Sequence, residues 1–146
     1  MSLREISGEY KRAAIRIQQN RAKNALAAMG DTLALVKTRI INRRVDEFGE
    51  AYGVYADSTW KAKQAKDSSN RSINFSETNR MWETIFPKLQ TQTADYLEFV
   101  FESIDPERND IFGYHESRFG GLIALSSDER TMLTEIYSSY LLKELP

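Results

Sequence analysis

The stretch "IRIQQNRAKNALAAMGDTLALVKTRI", residues 15–40, intersperses apolar and charged residues at helical spacing. Its apolar positions recur at intervals of three, four or seven residues, which places them on one face of a helix. They are Ile15, Ala22, Leu26, Met29, Leu33, Val36 and Ile40. The opposite face of the predicted helix carries Arg21, Lys23, Arg39 and Arg43. The spacing predicts helical structure over about residues 4–44.

Gly30 is the weak point of this predicted helix. It could end one helix as the residue after the C-cap, and Asp31 could cap the next. The sequence agrees equally with a kink or two consecutive helices at Gly30 and with one rod about 60 Å long, at about 1.5 Å per residue.

Residues 46–74 lose this periodicity and predict a long, extended excursion, rich in Lys, Ser and Asn at its centre. The aromatic side chains of this excursion, Tyr55 and Trp60 among them, indicate that parts of it dock on another surface. After it, "INF" at residues 73–75 predicts a short strand, with Ser76 as a cap for helical residues up to Pro87.

The segment "YLEFVFE", residues 96–102, alternates apolar and polar positions and predicts a half-buried strand. Leu97, Phe99 and Phe101 then share one side of it. Together with "KLQTQT", residues 88–93, the strand is expected to form a hairpin.

Two local signals predict where the later helices begin. Asp105 followed by Pro106 starts a helix over about 106–117. Ser126 with Glu129 forms a capping box for a final helix over about 127–143. The residues expected to be buried on that helix are Met132, Leu133, Ile136, Tyr137, Tyr140 and Leu141. Between the two helices, Gly120 and Gly121 predict a turn, and "LIAL", residues 122–125, predicts an internal strand.

These elements predict a single α+β domain over residues 1–146. It consists of an N-terminal helical arm (1–45), the extended excursion (46–74) and a small, mostly antiparallel sheet with a C-terminal helix (75–146).

Charge is divided unevenly along the chain, although the net charge is only −1. Residues 1–44 carry ten Lys or Arg and three acids, a net +7, whereas residues 45–146 carry ten Lys or Arg and eighteen acids, a net −8. This asymmetry favours a polyanionic partner or head-to-tail contact between copies. A solvated basic helix face explains individual residues equally well.

The residue types needed for common catalytic and metal sites are scarce. The chain has no cysteine and a single histidine, His115. It has no His-Glu-x-x-His motif, calcium loop, Gly-x-Ser-x-Gly elbow or phosphate-binding loop. We therefore expect no catalytic residues, no metal and no cofactor, and we expect His115 to be a packed structural residue. No apolar run approaches the roughly 18 residues needed to span a bilayer, so no membrane contact is expected.

Four basic residues near the end of the first helix are candidates for contact with DNA or an acidic partner. They are Lys37, Arg39, Arg43 and Arg44. Loose contact with a phosphate backbone would suit them. Cations late in a helix are also favoured by the helix dipole alone, so both interpretations stand.

The order of motifs from residue 48 onward resembles the phage virion morphogenesis family, the neck or tail-completion proteins that join capsid to tail. The matching segments, in order, are "YGVYADSTWKAKQAK" (52–66), "INFSETNRMW" (73–82), "GYHESRFGG" (113–121) and "LIALSSDERTMLTEIY" (122–137). The resemblance covers about two thirds of the chain, and each motif is short.

Two positions depart from the family pattern. Asn79 stands where the family usually has a glycine, and asparagine tolerates the left-handed backbone that such a turn needs. The Pro-Arg pair before the last strand is replaced by "RFGGLI" (118–123). The resemblance implies that Asn79, His115, Gly120 and Gly121 form structural turns.

The resemblance also implies a function: a structural virion protein that forms or joins a ring at the head–tail junction of a tailed phage, after synthesis in the cytoplasm of the bacterial host. Its partners would be other copies of itself, neighbouring head-completion, connector and tail proteins, and non-specifically bound DNA in the lumen. Tyr55, Trp60 and Arg118 are the candidate subunit-interface residues. The alternative is a nucleic-acid-associated accessory protein that uses the basic N-terminal helix.

Overall fold

The computed structural model describes residues 1–64, 71, 73, 75, 80–119 and 123–146. The helices are α1 (Leu3–Thr38), α2 (Asp57–Gln64), α3 (Arg80–Thr84), α4 (Pro106–Phe119) and α5 (Ser127–Leu142), and the strands are β1 (Ile85–Gln92) and β2 (Leu97–Ser103). The predicted α+β architecture, with a long N-terminal helix, a small antiparallel sheet and a C-terminal helix, is confirmed.

Helix α1 begins with a capping box between Ser2 and Glu5: the Ser2 side chain accepts from the Glu5 backbone, and the Glu5 carboxylate accepts from the Ser2 backbone. The helix runs through Gly30 without interruption, so the alternative of a break there is wrong. A single π-helical turn, Arg39–Arg43, follows α1, and Arg44 ends the helical segment in a left-handed conformation with φ of 60°.

The core forms where the C-terminal half of α1 meets α3, β1 and α4. The buried apolar residues that pack together there are Leu33, Val36, Ile40, Met81, Trp82, Ile85, Phe112 and Ile123. The Trp82 indole nitrogen donates to the Phe75 carbonyl oxygen at 3.0 Å, which satisfies the polar atom of this side chain. The core therefore lies at one end of the molecule, around the last turns of α1.

The predicted apolar stripe of α1 is correct only near its end. Leu33, Val36 and Ile40 are buried, but Ile15 and Leu26 are exposed. The buried face further toward the N-terminus instead consists of small and polar residues: Ala13, Asn24, Ala28 and Thr32. Small side chains allow α5 to approach α1 closely, so packing against α5, rather than residue hydrophobicity, selects this face.

Arg21 and Asn20 connect α1 to the rest of the chain through hydrogen bonds. Arg21, predicted on the outer face, is half-buried and donates to the carbonyl oxygens of Thr93 and Ala94 in the hairpin turn. Asn20 donates to the Glu144 carboxylate at 2.9 Å, just beyond α5. Polar side chains thus fix both the hairpin and the C-terminus against α1.

The predicted hairpin is confirmed, and β1 pairs antiparallel with β2. Its turn is stabilised by the Thr93 hydroxyl, which accepts from the backbone of Asp95 and Tyr96 at 3.2 and 3.1 Å. Contrary to prediction, Phe86 and Pro87 lie in β1 rather than in the preceding helix, which ends at Thr84. A proline is tolerated in β1 because this strand is at the edge of a two-stranded sheet.

The excursion contains one element that the sequence analysis missed, helix α2 (Asp57–Gln64). Residues 73 and 75 are not in a strand, contrary to prediction, although the Ile73 backbone donates to the Gly53 carbonyl oxygen at 3.0 Å. Ser76 and Asn79 lie outside the described residues, as do Gly120 and Gly121.

Both predicted helix starts in the C-terminal half are confirmed. The Asp105 carboxylate accepts from the Glu107 backbone at 3.0 Å at the start of α4, and Ser126 forms the predicted capping box with Glu129. The predicted internal strand is absent from residues 123–125. None of the six residues predicted to be buried on α5 is fully buried. Met132 is exposed, because α5 packs on α1 through its other face, and Leu133, Ile136, Tyr137, Tyr140 and Leu141 are half-buried.

Candidate functional surfaces

Arg39 is buried and joins four segments of the chain. Its guanidinium donates to both carboxylate oxygens of Glu129, at 2.8 and 3.1 Å, in a forked ion pair between the end of α1 and α5. It also donates to the carbonyl oxygens of Val45 and Ala124, at 3.1 and 2.7 Å. Arg39 therefore binds an acidic group within the chain rather than DNA or an external partner.

The surroundings of Arg39 keep it charged. Burial acts to lower the pKa of Arg39, but hydrogen bonding and attraction by Glu129 outweigh burial and raise it. Burial raises the pKa of the neighbouring Tyr52 hydroxyl to about 12, although the positive charge of Arg39 acts in the opposite direction. This cluster therefore consists of the neutral Tyr52 phenol beside the Arg39–Glu129 ion pair, in which the two charges balance. It holds the end of the first helix against α5.

Lys37, Arg43 and Arg44 differ in their exposure. The Lys37 ammonium donates to the carbonyl oxygens of Trp82 and Ile85, and burial lowers its pKa while Glu83 opposes that effect. Arg43 is exposed and Arg44 is half-buried. Of the four basic residues that the sequence nominated for contact with a polyanion, Arg43 is thus the one whose side chain is mainly at the surface.

His115 is half-buried among aromatic rings, as expected for a packed residue. Its ring lies edge-on to Phe75 and Tyr114, with centroids 5.0 and 5.5 Å away. Burial lowers the pKa of His115, and the nearby charge of Arg118 lowers it further. Within the described part of the chain, no group of three or more His, Asp or Glu side chains is placed to hold a metal ion.

Two of the predicted interface residues lie near α2: Tyr55 just before the helix and Trp60 within it. Both are half-buried. Arg71 holds this segment in place: its side chain donates to the Tyr55 carbonyl oxygen at 2.9 Å and pairs with the Asp57 carboxylate. The third predicted residue, Arg118, is exposed near the end of α4 and donates to the Tyr114 hydroxyl at 3.3 Å. Arg71 had no recognisable signal in the sequence.

A patch of exposed apolar residues lies at the N-terminal end of α1. Leu3, Ile6 and Tyr10 are 86%, 36% and 56% exposed. Their spacing of three and four residues continues to Ala13, which is 1% exposed, and these four positions share one side of the helix. We call Leu3, Ile6 and Tyr10 the α1 patch.

A second patch of this kind lies on α4 and the residues just before it. Ile104 is 74% exposed, and Ile111 and Tyr114, three positions apart on one side of α4, are 40% and 59% exposed. Phe112, on the other side of α4, is buried in the core. We call Ile104, Ile111 and Tyr114 the α4 patch. Neither patch was predicted from the sequence. The helical spacing of the apolar residues near Tyr10 and Tyr114 is the signal that could have indicated them.

Comparisons with known proteins identify no relatives of this chain. No family model matches the sequence, and neither the curated proteins nor the solved structures give a significant match. None of the helices in the described ranges is long and apolar enough to cross a membrane.

Proposed function

We propose that this chain is a structural virion protein of a tailed phage, which forms or joins a ring at the junction between head and tail. The order of its sequence motifs, described above, favours this function over other assembly roles. The structural observation that carries the proposal is that the basic start of α1 and the acidic helix α4 lie apart in the molecule.

The first end is the beginning of α1. Residues 1–16 carry four Lys or Arg and two Glu, a net +2. The other end contains α4, and residues 104–119 carry two Lys or Arg and four acids, a net −2. The hairpin belongs to neither end, because its turn lies beside Arg21 of α1. A molecule with a basic end and an acidic end favours head-to-tail contacts between copies, and such contacts close into rings when the rotation between copies permits.

Electron microscopy of labelled particles tests this proposal. An antibody raised against the chain would be applied to particles purified on a density gradient from a lysate of the source. We expect gold label at the junction between capsid and tail, and no label on tails or heads away from it. A protein that stays in the soluble or nucleoid fraction and never sediments with particles would contradict the proposal.

Trp60 provides a second test of the proposed assembly role. Replacing Trp60 with Ala is expected to leave the chain folded, because this side chain lies outside the core cluster, while reducing its incorporation into particles. Circular dichroism of the purified variant and immunoblots of gradient-purified particles measure the two effects. A variant that unfolds outright would instead place Trp60 in the core.

A nucleic-acid-associated accessory protein remains the competing proposal, and the exposed cations near the start of α1 favour it. They are Arg4, Lys11, Arg12, Arg16 and Lys23. Such a protein would bind mixed-sequence duplex DNA with an affinity that falls steeply between about 50 and about 200 mM salt. Fluorescence anisotropy measures this binding, and an undetectable affinity at the lower salt concentration would exclude this alternative.

A further inference from the structure

The α1 patch continues a face of α1 that is already an interface. Next to it along the helix, Ala13 is almost completely buried, and one turn later Arg16 donates to the Glu144 backbone carbonyl oxygen at 2.8 Å. The segment that ends α5 therefore covers this side of α1 from about residue 13 onward, and the same side is open from Leu3 to Tyr10. Exposed apolar residues that extend an existing interface are typical of a docking surface.

The α1 and α4 patches have complementary charged surroundings. The α1 patch lies in the segment of net charge +2, where Arg4, Lys11 and Arg12 are exposed, as is Glu5. The α4 patch lies in the segment of net charge −2, where Glu107 and Asp110 are exposed on the same helix. Arg118 is exposed there as well and donates to the Tyr114 hydroxyl. Apolar contact between the two patches would bring opposite charges together at its rim, which favours this pairing over contact between two identical patches.

The two patches of one molecule are too far apart to contact each other. Helix α1 is continuous from Tyr10 to Val36, and this span measures about 40 Å at about 1.5 Å per residue. Val36 packs in the same core cluster as Phe112, the neighbour of Ile111 in the sequence. Contact between an α1 patch and an α4 patch therefore requires two copies of the chain.

We propose that the α1 patch of each copy docks on the α4 patch of the next copy. The inference rests on the proposed function only in that both require contact between copies. Because the two surfaces differ, each copy uses one patch for each neighbour, and repetition builds a ring or an open chain. The side chains of the α1 patch become buried in this contact. They pack against the side chains of the α4 patch.

Two variants, each with one patch disrupted, test this pairing in solution. In the first, Ile6→Glu and Tyr10→Glu place acids on the α1 patch, and in the second, Ile111→Glu and Tyr114→Glu do the same on the α4 patch. We expect wild-type protein to associate in sedimentation experiments at concentrations of several hundred micromolar. We expect each variant to associate at least about tenfold more weakly. Met132→Glu, which adds the same charge at an exposed position on α5 outside both patches, should associate like the wild type.

Mixing the two variants distinguishes this contact from a symmetric one. Each variant keeps one intact patch, so an equimolar mixture should form dimers of the two variants and no larger species. Failure of the mixture to form dimers, or a wild type that is monomeric throughout, would overturn the pairing. Circular dichroism establishes that each variant is folded, and Ile104→Glu replaces the α4 variant if that variant is not.

The result separates the inference from the proposed function. Gold label at the head–tail junction, together with a wild type that does not associate through these patches, would reject the inference and leave the neck assignment in place. Association through the patches, without gold label on any particle, would support the inference and reject the neck assignment.

Discussion

At the C-terminal end of α1, Val36 and Ile40 are fully buried against Trp82 and its neighbours, whereas at the N-terminal end Leu3 and Tyr10 are more than half exposed. Both ends are helical and carry apolar residues at helical spacing, and Ile40 lies in the π-helical turn that follows α1. The difference lies in what surrounds them: α3, β1 and α4 cover one end, and no described part of the chain covers Leu3 or Tyr10 at the other. We infer that the first end stabilises the monomer and the second serves contact between copies.

The largest expected effect comes from deleting the central core side chain. Trp82→Ala should lower the free energy of unfolding by about 3–5 kcal/mol, because it leaves a cavity among buried residues. Ile6→Ala, at the open end, should change it by less than about 0.5 kcal/mol. Urea unfolding measures both, and similar losses for the two variants would remove the distinction between the ends.

The next effect concerns the buried ion pair. Arg39→Met leaves the Glu129 carboxylate buried without its partner and should cost about 3 kcal/mol of stability. Arg43→Met, one turn further along and exposed, is the matched control and should cost less than about 0.5 kcal/mol.

A double-mutant cycle sharpens this test. Arg39→Met combined with Glu129→Gln should be more stable than the sum of the two single losses predicts, by at least about 1 kcal/mol. Strict additivity would show that the two side chains do not interact energetically.

Gly30 lies between the two ends and offers a stabilising change. A Cβ at Gly30 would meet no atom within 4 Å, and the position is helical, so Gly30→Ala should stabilise the chain by about 0.5–1 kcal/mol. Gly49→Ala is the contrasting control: Gly49 has φ of +85°, and the change should destabilise by about 1 kcal/mol. Thermal melts measure both changes in stability. Destabilisation by Gly30→Ala would indicate that the helix is kinked at Gly30.

The smallest effect is a pH dependence from His115. Because burial lowers the pKa of His115 in the folded chain, the neutral form is favoured by folding. The resulting stability is present above the ordinary histidine pKa of about 6.5 and is lost as the pH falls through the lowered folded value. His115→Gln should therefore show a weaker fall in melting temperature on acidification than the wild type. Parallel pH profiles for the two proteins would contradict this assignment.

The features that could be predicted from the sequence are those with local causes. The capping motifs at Asp105 and Ser126 were read correctly because each depends on residues within three positions of it. The Arg39–Glu129 pair could not be predicted, since 90 residues separate its partners and each residue alone is typical of a solvated helix face. The prediction of the buried face of α1 is wrong before residue 30, because Asn24 and Ala28 are buried there and Ile15 is not.

The sequence also indicated the candidate interface in part. Charge asymmetry, read from composition, suggested head-to-tail contact, but the fold was needed to separate the two patches in space. The resemblance to the neck-protein family, and the roles it implies for Tyr55, Trp60 and Arg118, remain predictions for the labelling and incorporation experiments.

Chemical cross-linking between the two patches tests whether the α1 patch of one copy contacts the α4 patch of another. The chain contains no cysteine, so Tyr10→Cys and Ile111→Cys in one molecule introduce the only two thiols. A short bis-maleimide cannot bridge them within a copy, because about 40 Å of helix separates Tyr10 from Val36, which lies in the same core cluster as Phe112 of α4. We expect a ladder of cross-linked multimers from this double variant and little product from either single-cysteine variant. A double variant that stays monomeric, or a Tyr10→Cys variant that cross-links to itself equally well, would contradict this contact.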